Sequence, residues 1–213
     1  MNESSKFGFD LFSRLPVFEK MLFENPNGPF LEIGCGKLPF LPDYLSLLGP
    51  VECIDFSENA IEFCKKHYKE GTYSKTDILD FKVINTYAMV MDAHLLHCLD
   101  SLESYKLALL NIKRCLKPGG LFLLETMTSH TQMAFELNLN YEPSNFKLYK
   151  GDRVSRLVLP SIVIEELILE AGLRIEFFKV EDGLRMIPHD NREESIPEDP
   201  QVLRLIASRP KGH

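Results

Sequence analysis

The sequence predicts an α/β fold, with a mostly parallel sheet, an antiparallel last strand and helices on both faces. Short apolar segments alternate with amphipathic ones along the 213 residues, which is the pattern of successive strand–helix units. The first apolar segment runs into a glycine-rich turn. The last two follow each other without a helical pattern between them. Because parallel neighbours need a helical crossover, we expect this last pair to be antiparallel.

The N-terminal half carries three strand signals, separated by helical ones. Apolar side chains recur at helical spacing from Phe9 to Glu24, and Pro16 interrupts them because proline breaks a helix interior. Ser57 is a good helix start. The predicted elements are, in order, a helical segment over 9–24, strand 30–33, helix 41–48, strand 51–55, helix 57–68 and a third strand around 73–76.

The C-terminal half continues the alternation until its final pair of strands. Leucine and isoleucine side chains form one stripe of a helix that Lys117-Pro-Gly-Gly ends. The apolar run after this turn is typical of a parallel strand that is buried on both faces. The predicted elements are, in order, strand 87–91, helix 102–116, strand 121–126, helix 162–172, and strands 174–180 and 202–208.

Length, charge and cysteine content restrict the class of protein. A chain of this length without a long polar spacer predicts one sheet-centred core. The net charge of −7 disfavours a sequence-independent hold on nucleic acid. The first thirty residues contain no uninterrupted apolar stretch, so we expect no membrane contact and a cytoplasmic location. Five cysteines without a Cys-x-x-Cys pair fit a reducing compartment.

The glycine-rich turn after the first strand is the most informative motif. Gly34 and Gly36 allow a tight turn and a close approach of the backbone to a ligand. The carboxylate of Glu32 beside them would repel a phosphate and favour an ammonium or a sulfonium. The dinucleotide fingerprint expects a glycine where Pro39 stands. The alternative is that these glycines only connect a strand to a helix.

Three further acids follow later strands. Asp55, Asp77 and Asp92 each come at or just after the end of a predicted strand. An acid about 20 residues beyond the glycines is placed to hold a ribose diol, which fits Asp55. Each acid alone is typical of a solvated loop. Together with Glu32 they point to one crevice at the carboxyl ends of the strands, where open α/β sheets bind ligands.

Two motifs carry a resemblance to a known family. Glu32-x-Gly34-x-Gly36 resembles motif I of the class I S-adenosylmethionine-dependent methyltransferases, and the Leu-Lys-Pro-Gly-Gly-Leu-Phe run at 116–122 resembles the family's turn before strand five. The resemblance covers residues 28–208. It departs from the family at Leu38, which takes the place of the third glycine of the loop. It implies a Rossmann-like sheet of seven strands, with the seventh inserted antiparallel between strands five and six. It also implies S-adenosyl-L-methionine as the cofactor.

The resemblance further implies roles for individual residues. Glu32 would lie near the methionine ammonium, Asp55 would take the ribose hydroxyls, and Asp77 with the backbone of Ile78 would meet the adenine edge. A histidine at the position of His97 would pack against the donor, although a plain buried histidine is the alternative. The donor-binding residues assigned in this way are Glu32, Gly34, Cys35, Gly36, Asp55, Phe56, Asp77, Ile78, Asp92, Ala93 and His97.

The catalytic residue is unknown from spacing alone. Methyl transfer depends mainly on position and alignment, and a base is needed only when the acceptor is protonated. His94 is the candidate base. His94, His97 and Cys98 lack further partners at a metal-ligand spacing, so we expect no metal. The segment after Asp92 also lacks the Asn/Asp-Pro-Pro-aromatic signature of amino-directed DNA methyltransferases.

Two long segments are candidates for an acceptor pocket, with a solvated surface insertion as the alternative for both. Arg153 or Arg156 would favour an acceptor that bears a carboxylate or phosphate. An insertion at 127–160 contains His130, Glu136, Tyr141, Tyr149, Arg153 and Arg156, and a connection at 181–200 contains Arg185, His189 and Asp190.

The N-terminal segment is expected to close the site. Residues 1–27 would form a helical lid that places the apolar face of Phe9, Phe12 and Leu15 over the crevice of a methyltransferase domain at 28–213. The predicted function is therefore methylation of a small-molecule acceptor from S-adenosylmethionine. Two alternatives remain, a non-catalytic module that binds S-adenosylmethionine or S-adenosylhomocysteine, and a nicotinamide oxidoreductase. The oxidoreductase predicts a phosphate-binding turn without Glu32 and a helix between the last two strands, and the sequence shows neither. The oligomeric state is not indicated.

Overall fold

A computed structural model describes residues 3–84, 86–131, 133, 139–182 and 197–212. Seven of its strands form one sheet in the order β3-β2-β1-β4-β5-β10-β9, and three form a small sheet in the order β6-β7-β8. The strands are β1 Phe30–Ile33, β2 Val51–Asp55, β3 Thr72–Lys75, β4 Tyr87–Ala93, β5 Leu116–Thr128, β6 Leu139–Glu142, β7 Lys147–Lys150, β8 Arg153–Leu157, β9 Arg174–Glu181 and β10 Gln201–Ser208.

The main sheet confirms the predicted fold class. Strands β1 to β5 pair in parallel with their neighbours, whereas β10 is antiparallel to both β5 and β9. The strand that comes last in the chain thus lies between the fifth and the sixth of the main sheet, as the family resemblance implied. All five parallel strands therefore place their carboxyl ends at one edge of the sheet.

Six helices and two short 3₁₀ helices are present in the described part of the chain. The helices are α1 Glu3–Phe12, α2 Pro16–Glu24, α3 Leu41–Leu45, α4 Glu58–His67, α5 Leu102–Cys115 and α6 Ser161–Glu170. The 3₁₀ helices are Ile78–Asp80 and Leu96–Cys98. The N-terminal segment breaks at the predicted proline, which begins α2 at its first position because proline lacks the N–H that this position leaves unpaired.

Two cores lie on the two faces of the sheet because alternate strand residues point to opposite sides. Within β1, Leu31 and Ile33 pack with α5 and α6, whereas Phe30 packs with side chains from α1 to α4. In the N-terminal segment Phe9 and Phe12 are buried, with Phe9 against Phe40 and Phe12 against Phe177. Helix α1 therefore bridges the element after the glycine turn and the far edge of the sheet.

Three features differ from the prediction. The helix predicted over 41–48 ends at Leu45, and β5 begins at Leu116 rather than at residue 121. The register between β4 and β5 shifts between Tyr87 and Met89, so regular pairing resumes at Leu121, where the sequence placed the strand start. The small sheet was not predicted, because its short strands β6 to β8 carry many polar side chains and are held by Leu148 and Val158 underneath.

Candidate active site

The two glycines of the turn after β1 have different surroundings: Gly34 is tightly packed and Gly36 is open. Both glycines have left-handed backbone angles, with φ +66° at Gly34 and +56° at Gly36. A Cβ on Gly34 would lie 2.6 Å from the side chain of Leu95, whereas a Cβ on Gly36 would meet nothing within 4 Å. Gly34 is therefore required by packing within the protein. Gly36 faces open space at the edge of the sheet, where a ligand can approach the backbone.

Glu32 is buried beneath this turn. Its carboxylate accepts hydrogen bonds from the backbone N–H of Phe40, at 2.8 and 3.0 Å, and of Leu41, at 2.7 Å. The thiol of Cys53 lies 3.8 Å from Oε2. Burial raises the pKa of Glu32 to about 7, although the backbone hydrogen bonds oppose the rise. The acid thus fixes the start of α3 and is only partly ionised at neutral pH.

Asp55 at the end of β2 connects the glycine turn to α4. Its carboxylate accepts from Gly36 N–H and from Ser57 N–H, both at 2.8 Å. Ser57 in turn caps α4 by accepting from Ala60 N–H. The neighbouring side chain of Phe56 is 72% exposed. An acid, an open glycine and an exposed aromatic ring therefore lie together at the strand ends.

The turn after β3 contains a residue that the sequence analysis missed. Asp77 accepts from Leu79 N–H at 2.9 Å through Oδ1, and the side chain of Ile78 is buried in the core. Asn111 on α5 donates through Nδ2 to the carbonyls of Ile78 at 2.8 Å and Leu79 at 3.0 Å. The available signal was an asparagine within the apolar stripe of α5. It holds in place the turn that carries Asp77.

The exit of β4 is organised by a buried acid. Asp92 accepts from the backbone N–H of Leu95 at 2.6 Å and of Leu96 at 2.9 Å, and it is fully buried. Burial raises its pKa to about 6, against the lowering effect of these two bonds. Ala93 ends the strand, and His94 follows with φ +95°. Asp92 therefore fixes the turn that presents His94.

His97 lies one short helix further on. Its Nδ1 is 3.0 Å from the hydroxyl oxygen of Thr126 on β5. Burial lowers the pKa of His97 well below its ordinary value, so the ring is neutral at physiological pH. The rings of His94 and His97 contact each other edge to face with centroids 5.5 Å apart. His97 therefore belongs to the wall of the crevice.

A buried ion pair beside His94 was also missed. Arg204 on β10 lies directly opposite Glu125 on β5, and its Nε donates to Glu125 Oε2 at 2.7 Å. Arg204 Nη1 reaches Glu181 Oε2 at 2.5 Å. The other carboxylate oxygen, Glu125 Oε1, lies 3.3 Å from His94 Nε2. The only signal in the sequence was a single charge within each of two apolar strands.

The two segments proposed for an acceptor pocket meet at their ends. His130 Nε2 lies 2.7 Å from the carbonyl oxygen of Asp199, and the Tyr141 hydroxyl donates to the carbonyl of Val158 at 2.9 Å. Strand β8 packs beside the 3₁₀ helix that carries His97. Among the other candidate side chains of these segments, Arg153 is exposed and Arg156 is half-buried. The hydroxyl of Tyr149 accepts a hydrogen bond from Asn145. Four candidates lie outside the described residues: Glu136, Arg185, His189 and Asp190.

The described residues contain neither a helix that could span a membrane nor a metal-binding cluster. No helix there is long and apolar enough to cross a membrane. No group of three or more histidine, cysteine, aspartate or glutamate side chains in that part of the chain is arranged to hold a metal ion.

Known proteins resemble this chain in sequence and in fold. Residues 31–124 match the family model of a methyltransferase domain. The uncharacterized protein YmfD of Escherichia coli K12 is 25% identical over 140 residues. That match covers 60% of this chain, which spans only 57% of the length of YmfD.

Solved structures extend the likeness over nearly the whole chain. A SAM-dependent methyltransferase from Methanosarcina mazei superposes with a TM-score of 0.70 at 15% identity, covering 93% of this chain and 99% of its own. The N-methyltransferase NodS from Bradyrhizobium japonicum gives 0.61 at 16% identity, with 98% of both chains covered.

A third structure contains ligands. The 1,6-didemethyltoxoflavin-N1-methyltransferase of Burkholderia thailandensis, solved with 1,6-didemethyltoxoflavin and S-adenosylhomocysteine, gives a TM-score of 0.58 at 15% identity over 98% of this chain and 84% of its own. The sequence match to a methyltransferase domain and the strand order of the main sheet indicate the same fold. Residues 31–124 therefore match a methyltransferase domain, and the chain has the fold of the SAM-dependent methyltransferases.

Proposed function

We propose that this protein transfers a methyl group from S-adenosylmethionine to a small-molecule acceptor at the carboxyl edge of the main sheet. The observation that carries the proposal is the open position of Gly36, whose N–H is bound by Asp55 and beside which Phe56 is exposed. These are the groups that bind a nucleoside: a backbone position without a side chain, a carboxylate for the ribose hydroxyls and an apolar surface for the base.

The donor-binding residues follow from this placement. Each oxygen of Asp55 accepts one backbone N–H, and its second lone pair remains for a ribose hydroxyl. Within the described part of the chain Glu32 Oε1 accepts from Phe40 N–H, and its remaining lone pair would accept from the methionine ammonium. Asp77 uses Oδ1 within its own turn, and Oδ2 would accept from the adenine amino group. The proposed donor site comprises Glu32, Gly34, Cys35, Gly36, Asp55, Phe56, Asp77, Ile78, Asp92, Ala93 and His97.

The donor supplies an activated methyl on a sulfonium, and the protein supplies position and a dry surface. Asp92 and His97 shape the wall at the exit of β4, next to where β5 and the small sheet meet. In-line displacement needs the acceptor atom about 3 Å from the methyl carbon, so alignment accounts for much of the rate. Exclusion of water prevents hydrolysis and strengthens the electrostatic contacts.

A small acceptor is favoured by what surrounds the crevice. Helix α1 spans from Phe40 to Glu125 above the strand ends, and β8 lies beside the 3₁₀ helix Leu96–Cys98. The net charge of −7 opposes the phosphates of a nucleic acid. Arg156 lies on β8, which packs against the 3₁₀ helix of His97, so a carboxylate or phosphate on the acceptor would find a cation beside the wall.

Donor binding is tested with matched glycine variants and titration calorimetry. Gly36→Val should abolish binding of S-adenosylhomocysteine. Gly151→Val is the control, because Gly151 has the same kind of backbone angle, φ +60°, and open space around its Cβ in the turn before β8. Both variants pay a similar backbone cost of about 1–3 kcal/mol, so a selective loss in the first reports the ligand contact. Equal affinities in the two variants would contradict the proposed site.

Catalysis is tested separately from binding. Tritium-labelled S-adenosylmethionine is incubated with the protein and a deproteinised metabolite extract, and label is followed into the small-molecule fraction. Transfer supports the enzyme. Binding of the donor without transfer to any extract supports the second candidate, a non-catalytic S-adenosylmethionine-binding module.

A further inference from the structure

His94 adopts a backbone conformation that side chains rarely take. It follows β4 with φ +95°, and a non-glycine residue in such a region costs about 1–3 kcal/mol unless its surroundings hold it there. Asp92 holds this turn by binding the N–H of Leu95 and Leu96. Strain of this kind is concentrated at sites where a side chain must be presented in one direction.

The two nitrogens of the His94 ring have different surroundings. Nε2 is buried and lies 3.3 Å from Glu125 Oε1. The side chain as a whole is 21% exposed, so its accessible part lies away from Nε2. Nε2 and Oε1 are within hydrogen-bond distance but are not aligned for a hydrogen bond in this structure. Catalytic hydrogen bonds are often poorly aligned before substrate binds and improve when it does. A proton on Nε2 facing this carboxylate would leave the lone pair on Nδ1, the nitrogen that can meet a ligand.

Glu125 is built into the sheet as a fixed acceptor. It is fully buried, and the guanidinium of Arg204 on the adjacent strand donates to its other oxygen at 2.7 Å. The same guanidinium binds Glu181, which also pairs with Lys179 at 2.7 Å. A buried carboxylate is tolerated when a partner of opposite charge compensates it. Arg204 thus orients the carboxylate from the side away from His94, and Oε1 lies on the side of the imidazole.

Helix α1 covers the pair of side chains. A Cβ on Gly8 would lie 2.3 Å from Glu125 Oε2 and 3.3 Å from Arg204 Nε. The helix backbone therefore rests directly on the ion pair, with no room for a side chain between them. The groups that face His94 are Glu125 of β5, Arg204 of β10 behind it, His97 of the neighbouring 3₁₀ helix and Asp92 of its own turn.

We propose that His94 is the general base of this enzyme and that Glu125 is its positioning residue, so that the methyl acceptor carries its proton on a hydroxyl or an ammonium. The proposal rests on the proposed methyltransferase function. It excludes acceptors whose lone pair is already free at neutral pH, such as a thioether, because these need no base.

The step balances without a further reactant. The acceptor lone pair forms the bond to the methyl carbon while the sulfur–carbon pair returns to sulfur, which becomes neutral. The acceptor proton passes to Nδ1 of His94. An ammonium gives up this proton before the new bond forms, because it has no lone pair until then, whereas a hydroxyl gives it up as the bond forms. Nε2–H then donates to Glu125, whose negative charge stabilises the imidazolium, and the proton leaves to water.

The resting state of the ring is tested by ¹⁵N NMR of the histidine side chains in the wild-type protein. The protein has six histidines, and the signals of His94 are those missing from the spectrum of His94→Gln. His94 should show a protonated Nε2 and an unprotonated Nδ1 when neutral. The opposite tautomer would overturn the proposal, and this measurement needs neither an acceptor nor a stable Glu125 variant.

Activity gives the second test, with labelled S-adenosylmethionine and a deproteinised metabolite extract. His94→Gln should reduce transfer at least a hundredfold and Glu125→Gln at least tenfold in kcat, with the affinity for S-adenosylhomocysteine within about twofold of wild type. His67→Gln, at an exposed imidazole on α4, is the matched control and should retain full activity. An active wild type with unaffected His94→Gln overturns the His94–Glu125 assignment alone. A wild type that binds donor and never transfers methyl overturns the proposed function as well.

Discussion

Glu32 should release a proton when the donor binds. Its pKa is about 7 in the protein because burial disfavours the carboxylate. At pH 7 the group is therefore about half protonated. A methionine ammonium beside Oε1 favours the ionised form and should lower the pKa by about 1–3 units. With a shift of about 2, binding at pH 7 releases about half a proton per donor.

The release is measured by calorimetry in two buffers with different ionisation enthalpies, such as phosphate and Tris. The difference between the two binding enthalpies gives the number of protons transferred. The number should rise toward about pH 6, which lies between the free and bound pKa values, and should vanish above about pH 8.5. Asp92, whose pKa is about 6, is already mostly ionised at pH 7 and adds little there.

Glu32→Gln is the control, because it keeps the shape of the side chain and removes the titrating group. It should abolish the buffer dependence and weaken donor binding. A wild-type protein without buffer dependence at pH 7 would refute the contact between Glu32 and the ammonium. So would an equal proton release in Glu32→Gln.

Three further outcomes are expected. Asp55→Ala should weaken donor binding by about 1.5–3 kcal/mol for each charge-assisted bond lost, roughly ten- to two-hundredfold, and unchanged affinity by calorimetry would exclude its ribose role. Asn111→Leu removes the hydrogen bonds to the carbonyls of Ile78, which keeps its bond from Phe81 N–H, and Leu79, and it should lower the free energy of unfolding by about 1–3 kcal/mol, read from the urea midpoint. Because burial raises the pKa of Glu32 and Asp92, the folded state binds more protons, so these groups add stability below about pH 4 that is lost as the pH rises to 7. Glu32→Gln should flatten this dependence in thermal melts.

The main sheet was predictable because its signals are local. Hydrophobic period, the proline that begins α2 and the glycine turn after β1 each depend on a few neighbouring residues. The position of β10 was predicted from the family resemblance, because the residues of one short strand do not determine which strands it pairs with. The small sheet was missed for the same reason, because β6 to β8 owe their pairing to contacts across the segment.

The candidate site was predictable as a set of strand ends and not as a set of contacts. The spacing placed Glu32, Asp55 and Asp92 at one edge, and all three lie there. It did not indicate that each acid would bind backbone N–H groups of its own turn. Glu125 and Arg204 were missed because they are 79 residues apart and meet only through the register of two strands.

The insertion of β10 has a consequence for biosynthesis. This strand is the last of the sheet to be translated, yet it lies between β5 and β9, which must both wait for it. Until it leaves the ribosome, Glu125 has no guanidinium opposite it and two strand edges stay unpaired. The nascent chain therefore cannot assemble the ion pair behind His94 before β10 has been made. The sheet and the candidate site are therefore completed by the same strand. A chain stalled on the ribosome before residue 201 would expose two unpaired strand edges, which makes it prone to aggregation, and would lack the ion pair behind His94.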